Sequence, residues 1–169
     1  GVAHCPCSNM RLSSGIAPVR RMADAGMKIG LGVDGSASND SGHMLNEARQ
    51  TMLLQRVEQG GDAMTAREAL ALATRGGASV LGRDDIGMLA PGYAADIAAF
   101  DRRGIDFAGS DWDPLASLLF CGPVKANHTI INGRSVVEDG QLVTMDLGRM
   151  LEQHWTMARH LMQASGHMG

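Results

Sequence analysis

The sequence contains few cysteines, no long apolar run and no surplus of charge of one sign. Its three cysteines do not make a paired framework, which indicates free thiols and a reducing cytoplasm. No apolar run approaches the roughly 20 residues that cross a bilayer, so we expect no membrane partner. The net charge of −3, with acidic and basic residues dispersed, predicts no nucleic-acid partner. What is present is a chain of 169 residues, long enough for one domain with a core of its own.

Two short apolar segments each end in polar residues. The predicted strand 28–33 is followed by Asp34 and then by small and polar residues that cannot continue a strand. The segment 2–12 likewise begins as a strand and then carries His4 and Asn9. Parallel α/β sheets place their chemistry at strand ends, so Asp34 is the first candidate for a functional residue. The alternative is a turn aspartate, since Asp-Gly is an ordinary loop dipeptide.

A helix is predicted between these strands, from Gly15 to Gly26. Its apolar residues recur at helical spacing, Pro18 falls in the first turn, where its missing N–H does no harm, and Gly26 ends it. The order strand, loop, helix, strand, loop predicts a βαβ unit. Because both strands of such a unit end at the same edge, we expect the polar residues that follow them to converge.

Two further helices are predicted next. The first runs from His43 to Gln59 with an apolar face, and Glu47 lies off that face. The second begins at an N-cap, Thr65, and Glu68 three residues later completes a capping box. This second helix is expected to end at Gly76-Gly77. We interpret both helices as covering structure rather than as parts of a site.

The last part of the sequence predicts strands and then a helix. Residues 102–121 read as irregular, and the strand-like segments are 95–101, 124–131, 134–137 and 141–143. Asn132-Gly133 and Asp139-Gly140 are predicted as two-residue hairpin turns. Met145 to Met162 is an amphipathic helix. Its apolar face is expected to point inward and consists of Leu147, Met150, Leu151, Trp155, Ala158 and Leu161.

Three segments resemble the amidohydrolase superfamily. VAHCPCSNMRLSSGIAPVRRM at 2–22 and LGVDGSASND at 31–40 resemble the seventh and eighth strands of that family's (β/α)8 barrel. IGMLAPGYAADI at 86–97 resembles its return from barrel to β-sandwich. The resemblance lies within the branch of aromatic-base deaminases and triazine hydrolases. Around ASND and HMLNEARQTMLLQR the sequence is most similar to the 8-oxoguanine deaminases of that branch.

The resemblance implies an α/β fold that this chain completes only in part. Residues 1–84 would form the C-terminal strands and helices of a TIM barrel, 85–145 part of a composite β-sandwich, and 146–169 a C-terminal helix and tail. A whole barrel needs about 250 residues, and the His-x-His pair that the family carries near its first strand is absent. We therefore expect the C-terminal part of a larger, cytoplasmic protein, and members of this family are commonly homo-oligomers.

The resemblance also implies a metal site. Asp34 would be the metal ligand at the end of strand eight and, through contact with the activated water, the catalytic residue. One Zn²⁺ per subunit is expected, with Fe²⁺ as the alternative, and the histidine ligands and proton shuttles would lie outside this chain. His4, Asn9 and Asn39 are the candidates for substrate contacts. The structural alternatives are that His4 positions the site and that Asn39 caps the helix beginning near His43.

Three functions follow as hypotheses. The first is a metal-dependent aminohydrolase that releases ammonia from a small aromatic base, with 8-oxoguanine as the expected substrate. The second is a hydrolase of the same class with another substrate: a triazine that loses chloride or an alkylamine, or guanine, cytosine or S-adenosylhomocysteine. The third is a binding or scaffold chain without catalysis. A His-x-His segment encoded upstream of Gly1 would favour the enzymes over the third hypothesis.

Overall fold

The computed structural model describes residues 1–122 and 124–166, so the end of the predicted tail, which includes His167, lies outside it. Within the described residues no helix combines the length and the apolar character that a membrane span requires. The helices and strands run in the order β1 (Val2–His4), α1 (Pro6–Arg11), α2 (Val19–Asp24), β2 (Ile29–Leu31), α3 (Met44–Gln59), α4 (Ala66–Ala71), α5 (Gly77–Leu81), β3 (Ile97–Ala99), α6 (Pro114–Phe120), β4 (His128–Ile131), β5 (Arg134–Glu138), β6 (Gln141–Leu142) and α7 (Leu147–Ala164).

The first two strands pair in parallel, as the predicted βαβ unit requires. In the register, Val2 lies opposite Ile29 and His4 opposite Leu31. The predicted strand 28–33 is shorter in the structure, because the extended pairing stops at Leu31. Both strands end at one edge, and the two segments that follow them begin there.

The chain between β1 and β2 is more helical at its start than predicted. Pro6–Arg11 forms α1, where a loop was expected, and Pro6 occupies the first turn, where its fixed φ suits a helix. The predicted helix from Gly15 shrinks to α2, which begins at Val19 with Pro18 as its N-cap. Gly15 adopts a φ of 89°, outside the right-handed helical region, and so keeps the residues around it out of α2.

The core lies where α3 packs against β2 and the neighbouring helices. Ala48 and Met52 of α3 are fully buried against Val19 and Ile29. Leu119 of α6 joins the same cluster. The sequence predicts an irregular stretch over residues 114–120, but Pro114 in the first turn and the Asp113 carboxylate, which accepts a hydrogen bond from the N–H of residue 116, start a helix there.

The predicted capping box is confirmed, but the helix that it starts continues past its predicted end. The Thr65 hydroxyl accepts from the Glu68 N–H at 3.2 Å, and the Glu68 carboxylate accepts from the Thr65 N–H at 2.7 Å. After α4 the chain passes through a π-helical turn, Leu72–Gly76, directly into α5, and Gly82 with a φ of 69° ends it.

Gly76 in this helix, together with Gly30 on β2, serves close packing rather than helix termination. A Cβ on Gly76 would lie 2.3 Å from the carbonyl oxygen of Ile29, and a Cβ on Gly30 would lie 2.8 Å from the Cα of Gly77. Both distances are shorter than real contacts allow. The helix therefore approaches β2 backbone to backbone, which only glycine permits. The predicted stop at Gly76-Gly77 was wrong for this reason.

The second sheet is antiparallel, in the strand order β3-β4-β5-β6. Both predicted hairpin turns are confirmed. Asn132 and Gly133 have φ values of 47° and 76°, and Asp139 and Gly140 have values of 48° and 75°. Positive φ at both central residues is the turn geometry that matches the twist of paired strands. None of the residues in these four strands is buried.

The final helix forms as predicted, but its apolar face is exposed rather than inward. Asp146 caps α7 by accepting from the Arg149 N–H at 3.0 Å. No residue of α7 is buried, and Trp155 and Leu161 are 60% and 71% exposed. Periodicity shows which face of a helix is apolar, but a partner for that face must come from elsewhere. The described residues supply none that buries it.

Candidate functional site

Asp34 lies three residues beyond the end of β2, at the edge where β1 also ends. Its backbone is left-handed, with a φ of 61°. Aspartate and asparagine are among the few side-chain-bearing residues that accept this conformation readily. The chain turns sharply here, and the Asp34 side chain is exposed at the strand edge.

Two serines hold the Asp34 carboxylate, one on α1 and one in the loop after β2. The Ser8 hydroxyl donates to Oδ2 at 2.6 Å, and the Ser38 hydroxyl donates to the same oxygen at 3.1 Å. The hydrogen bond from Ser8 is the main reason that the pKa of Asp34 is lowered, followed by the Gly35 backbone and Ser38. Asp34 is therefore an ionised carboxylate at neutral pH, with both side-chain donors on one oxygen.

His4 is almost completely buried, at 4% exposed. Burial lowers the pKa of its imidazole, against the opposing influence of the Glu47 charge, so the ring is neutral at neutral pH. Its Nε2 has no hydrogen-bond partner in the described part of the chain. The predicted role of His4 in contacting substrate or positioning the site stays a prediction.

Asn9 is half-buried on α1. Its backbone N–H donates to the Cys5 carbonyl at 3.0 Å, and its carbonyl accepts from the Ser14 N–H at 2.9 Å. Across residues 1–122 and 124–166 its side-chain amide makes no hydrogen bond. The amide of Asn9 is therefore available to a ligand, and the predicted substrate contact stays a prediction.

Asn39 is buried, and both ends of its amide are engaged. Nδ2 donates to the Val33 carbonyl at 2.8 Å and to Glu47 Oε1 at 2.6 Å, while Oδ1 accepts from the Gly42 N–H at 3.2 Å. The alternative role as the cap of α3 does not occur, because His43 is the N-cap and makes no side-chain cap bond. A substrate contact by Asn39 would have to replace one of these bonds.

Glu47 is a buried site residue that the sequence pattern placed on the outer face of its helix. It is fully buried, and its Oε2 accepts from the Cys7 N–H at 3.1 Å. Thr51 and Gln55 are also fully buried, so polar residues four apart form a second buried stripe on α3. That spacing was the available signal. The expectation that Glu47 lies off the packed face was wrong, because α3 is covered on more than its apolar side.

The strand ends converge only in part. Ser8 and Ser38 reach Asp34, whereas His4, Asn9 and Asn39 make no hydrogen bond to it among the described residues. In that part of the chain no group of three histidine, cysteine or acidic side chains could hold a metal ion.

The donor chemistry of the site fits one metal ligand. Asp34 offers an exposed anionic oxygen, which suits Zn²⁺ or Fe²⁺. Cys7 offers no thiolate, because burial and then a hydrogen bond with Glu47 raise the pKa of its thiol to about 12. The residues present therefore fit a site to which this chain contributes the Asp34 carboxylate.

Comparison with known proteins identifies the family. The sequence profile of the Amidohydrolase family matches residues 1–136. The chain belongs to the amidohydrolase family.

Several relatives are deaminases or hydrolases. The chain is 48% identical over 161 residues to 8-oxoguanine deaminase of Pseudomonas aeruginosa. The aligned region covers 95% of this chain and 36% of that protein. It is 41% identical over 155 residues to 5-methylthioadenosine/S-adenosylhomocysteine deaminase of Pelotomaculum thermopropionicum, with coverage of 90% and 36%.

A solved structure matches the fold of this chain. Atrazine chlorohydrolase from Arthrobacter aurescens TC1, complexed with zinc, matches with a TM-score of 0.85 at 38% identity. The match covers 90% of this chain and 34% of that one. The chain thus spans about a third of the length of these relatives.

Proposed function

We propose that the complete protein is a metal-dependent hydrolase that deaminates a purine-like aromatic base, with 8-oxoguanine as its substrate, and releases ammonia. The observation that carries the proposal is the exposed, ionised Asp34 carboxylate at the end of a parallel strand, held by Ser8 and Ser38. The 48% identity to an 8-oxoguanine deaminase supports this substrate. The activity belongs to the complete protein, because the chain spans only about a third of its relatives.

We infer the placement of this chain in the full fold from the two sheets. The parallel pair β1 and β2 would be the seventh and eighth strands of a (β/α)8 barrel, within a barrel portion at 1–84. The antiparallel strands β3–β6 would belong to a β-sandwich portion at 85–145, followed by a helix and tail at 146–169. The complete protein is proposed to be cytoplasmic and a homo-oligomer. Light scattering would test its oligomeric state.

Hydrolytic deamination adds water to the ring carbon that carries the amino group and then breaks the carbon–nitrogen bond. One Zn²⁺ per subunit, or Fe²⁺ as the alternative, supplies when bound the Lewis acidity that brings the pKa of a water to about 7. Asp34 would bind the ion through its carboxylate and accept the proton of the attacking water there. Ser8 and Ser38 fix the orientation of that carboxylate by occupying Oδ2.

The predicted substrate contacts differ in what the structure leaves free. We propose that Asn9 hydrogen-bonds an edge of the base, since its amide makes no side-chain hydrogen bond in the described part of the chain. His4 and Asn39 are buried at 4% and 6% exposure, which favours a role in holding the strand ends.

The test is Asp34→Asn in the complete protein. Asparagine accepts the left-handed backbone, so the substitution removes the charge and keeps the turn. We expect zinc content to fall well below one per subunit. Ammonia release from 8-oxoguanine should fall by about 1,000-fold or more, because the lost stabilisation is several kcal/mol. Asp84→Asn, in an exposed turn, is the control and should change neither. Normal zinc content and rate in Asp34→Asn would contradict the proposal.

A second candidate is a triazine hydrolase that releases chloride or an alkylamine. The structural similarity to atrazine chlorohydrolase favours it, and the same Asp34 would serve. A substrate panel separates the two candidates. Ammonia from 8-oxoguanine supports the first, and chloride or alkylamine from triazines supports the second. Zinc-free protein that acts on none of these substrates would favour a chain without catalysis.

A further inference from the structure

Glu47 connects α1 and the loop after β2, the two segments of the candidate site, to helix α3. One carboxylate oxygen accepts from the Cys7 N–H in the segment after β1, and the other accepts from the Asn39 amide in the segment after β2. Burying a carboxylate is costly unless hydrogen bonds satisfy it. Each oxygen of this fully buried group has such a bond, one to α1 and the other to the loop after β2.

The residues bound to Glu47 are the chain neighbours of those bound to Asp34. Ser8 follows Cys7 directly and donates to Asp34 Oδ2 at 2.6 Å. Ser38 precedes Asn39 directly and donates to the same oxygen at 3.1 Å. Two adjacent pairs, 7–8 and 38–39, therefore each carry one contact to Glu47 and one to Asp34.

The helix that carries Glu47 is a fixed reference for these pairs. Ala48 and Met52 of α3 are fully buried in the core, so α3 cannot shift without opening the packing. A small displacement of either serine would weaken its hydrogen bond to Asp34, because such bonds depend steeply on distance and angle.

We propose that Glu47 is a positioning residue, which sets the Asp34 carboxylate by holding Ser8 and Ser38 in place from behind. The proposal rests on the proposed function, because it assigns Asp34 as the metal ligand. Hydrogen-bond partners behind a ligand govern metal affinity, and their substitution costs about 10–100-fold in affinity or activity.

The experiment compares Glu47→Gln with Gln55→Met in the complete protein. Glutamine keeps the shape of Glu47 but points an N–H group at one of the two donors. Gln55 is the matched control. It lies two turns further along α3 and is fully buried. It also anchors the start of α2, since it accepts from the Arg20 N–H at 3.0 Å and donates to the Ala17 carbonyl at 2.9 Å.

The primary measurement is the Zn²⁺ dissociation constant by competition with a chelating dye, with kcat and KM beside it. We expect Glu47→Gln to weaken Zn²⁺ binding and lower kcat by about 10–100-fold with little change in KM. Gln55→Met should lower the unfolding free energy and leave Zn²⁺ binding unchanged. Equal weakening of Zn²⁺ binding by both variants, or no weakening by Glu47→Gln, overturns the proposal.

A double-mutant cycle tests the route through the serines. In a Ser8→Ala/Ser38→Ala background, Glu47→Gln should change the Zn²⁺ dissociation constant by less than about twofold, because the two serine contacts that Glu47 positions are already absent. Full additivity overturns the proposal. If Glu47→Gln does not fold, the serine double variant decides alone: unchanged Zn²⁺ affinity in that variant also overturns it.

Failure of this proposal is distinguishable from failure of the proposed function. Wild-type protein that binds Zn²⁺, and loses it in Asp34→Asn, supports the assigned ligand whatever Glu47→Gln does. If Asp34→Asn binds Zn²⁺ as tightly as the wild-type protein does, Asp34 is not the ligand, and the Glu47 proposal is overturned as well.

Discussion

The two sheets of this protein differ in what they bury. The parallel pair lies beside a core of fully buried residues from α2, α3 and α4, whereas the antiparallel sheet and α7 contain no buried residue. Leu119 of α6 marks the last buried position along the described chain. The first region thus owes its structure to packing within the chain. The second owes its structure to hairpin turns and hydrogen bonds, and its apolar faces remain open.

The largest expected effect lies in the core of the first region. Met52 of α3 is fully buried in the core cluster, and Met52→Ala removes its packing contacts and leaves a cavity. We expect a loss of about 2–5 kcal/mol in the free energy of unfolding, measured by urea denaturation. A loss below about 1 kcal/mol would show that α3 is not the centre of the core and would break the contrast between the regions.

Gly76→Ala is expected to have the next largest effect. The added Cβ would meet the backbone carbonyl of Ile29 at 2.3 Å, and a backbone atom cannot yield as a side chain can. We expect a loss of about 1–3 kcal/mol by urea denaturation. Gly77→Ala is the matched control, because a Cβ there meets nothing within 4 Å and its φ is −57°. That control should be neutral or stabilise by about 0.4–1 kcal/mol.

Most element types were predictable from sequence because they depend on local chemistry. Thr65 and Glu68 form their capping box, and Asn132-Gly133 and Asp139-Gly140 turn as hairpins, since each of these signals acts within a few residues. The position of Asp34 beyond a strand end was predictable for the same reason.

The predictions that were wrong concern contacts with distant parts of the chain. Glu47 was expected off the packed face because the buried stripe to which it belongs is polar, and one of its partners, Cys7, lies 40 residues away. Gly76 looked like a helix stop because the β2 backbone that it packs against lies far away in sequence. The exposed face of α7 was predicted as inward because periodicity does not say whether a partner is present.

The pH dependence of stability tests the second region, where the ion pair of Asp101 and Arg103 joins residues two apart in the chain. Arg103 donates to Asp101 and lowers the pKa of that carboxyl from 3.8 to about 2. A carboxyl with a depressed pKa stabilises the folded state above its ordinary pKa, and this stabilisation is lost as pH falls from 3.8 through about 2. In Arg103→Ala the urea midpoint should depend less on pH in that window. An unchanged pH dependence would contradict the pairing.

The smallest effect is expected on α7. Trp155 is 60% exposed on a helix without buried residues, so Trp155→Ala in this chain should change the free energy of unfolding by less than about 0.5 kcal/mol. Urea denaturation beside Met52→Ala measures the contrast directly. A loss comparable to that of Met52→Ala would mean that α7 packs as tightly as α3.

The π-helical turn at Leu72–Gly76 constrains how the chain can change in length. A π-helical turn holds one residue more than the α-helical turn that it replaces, so it absorbs that residue without rotating α5 relative to α4. A further inserted residue would turn every later residue by about 100° around the helix axis, and Gly76 would then no longer face the Ile29 carbonyl. Insertions should therefore be tolerated in the exposed turn at 60–62 and rejected at 72–76.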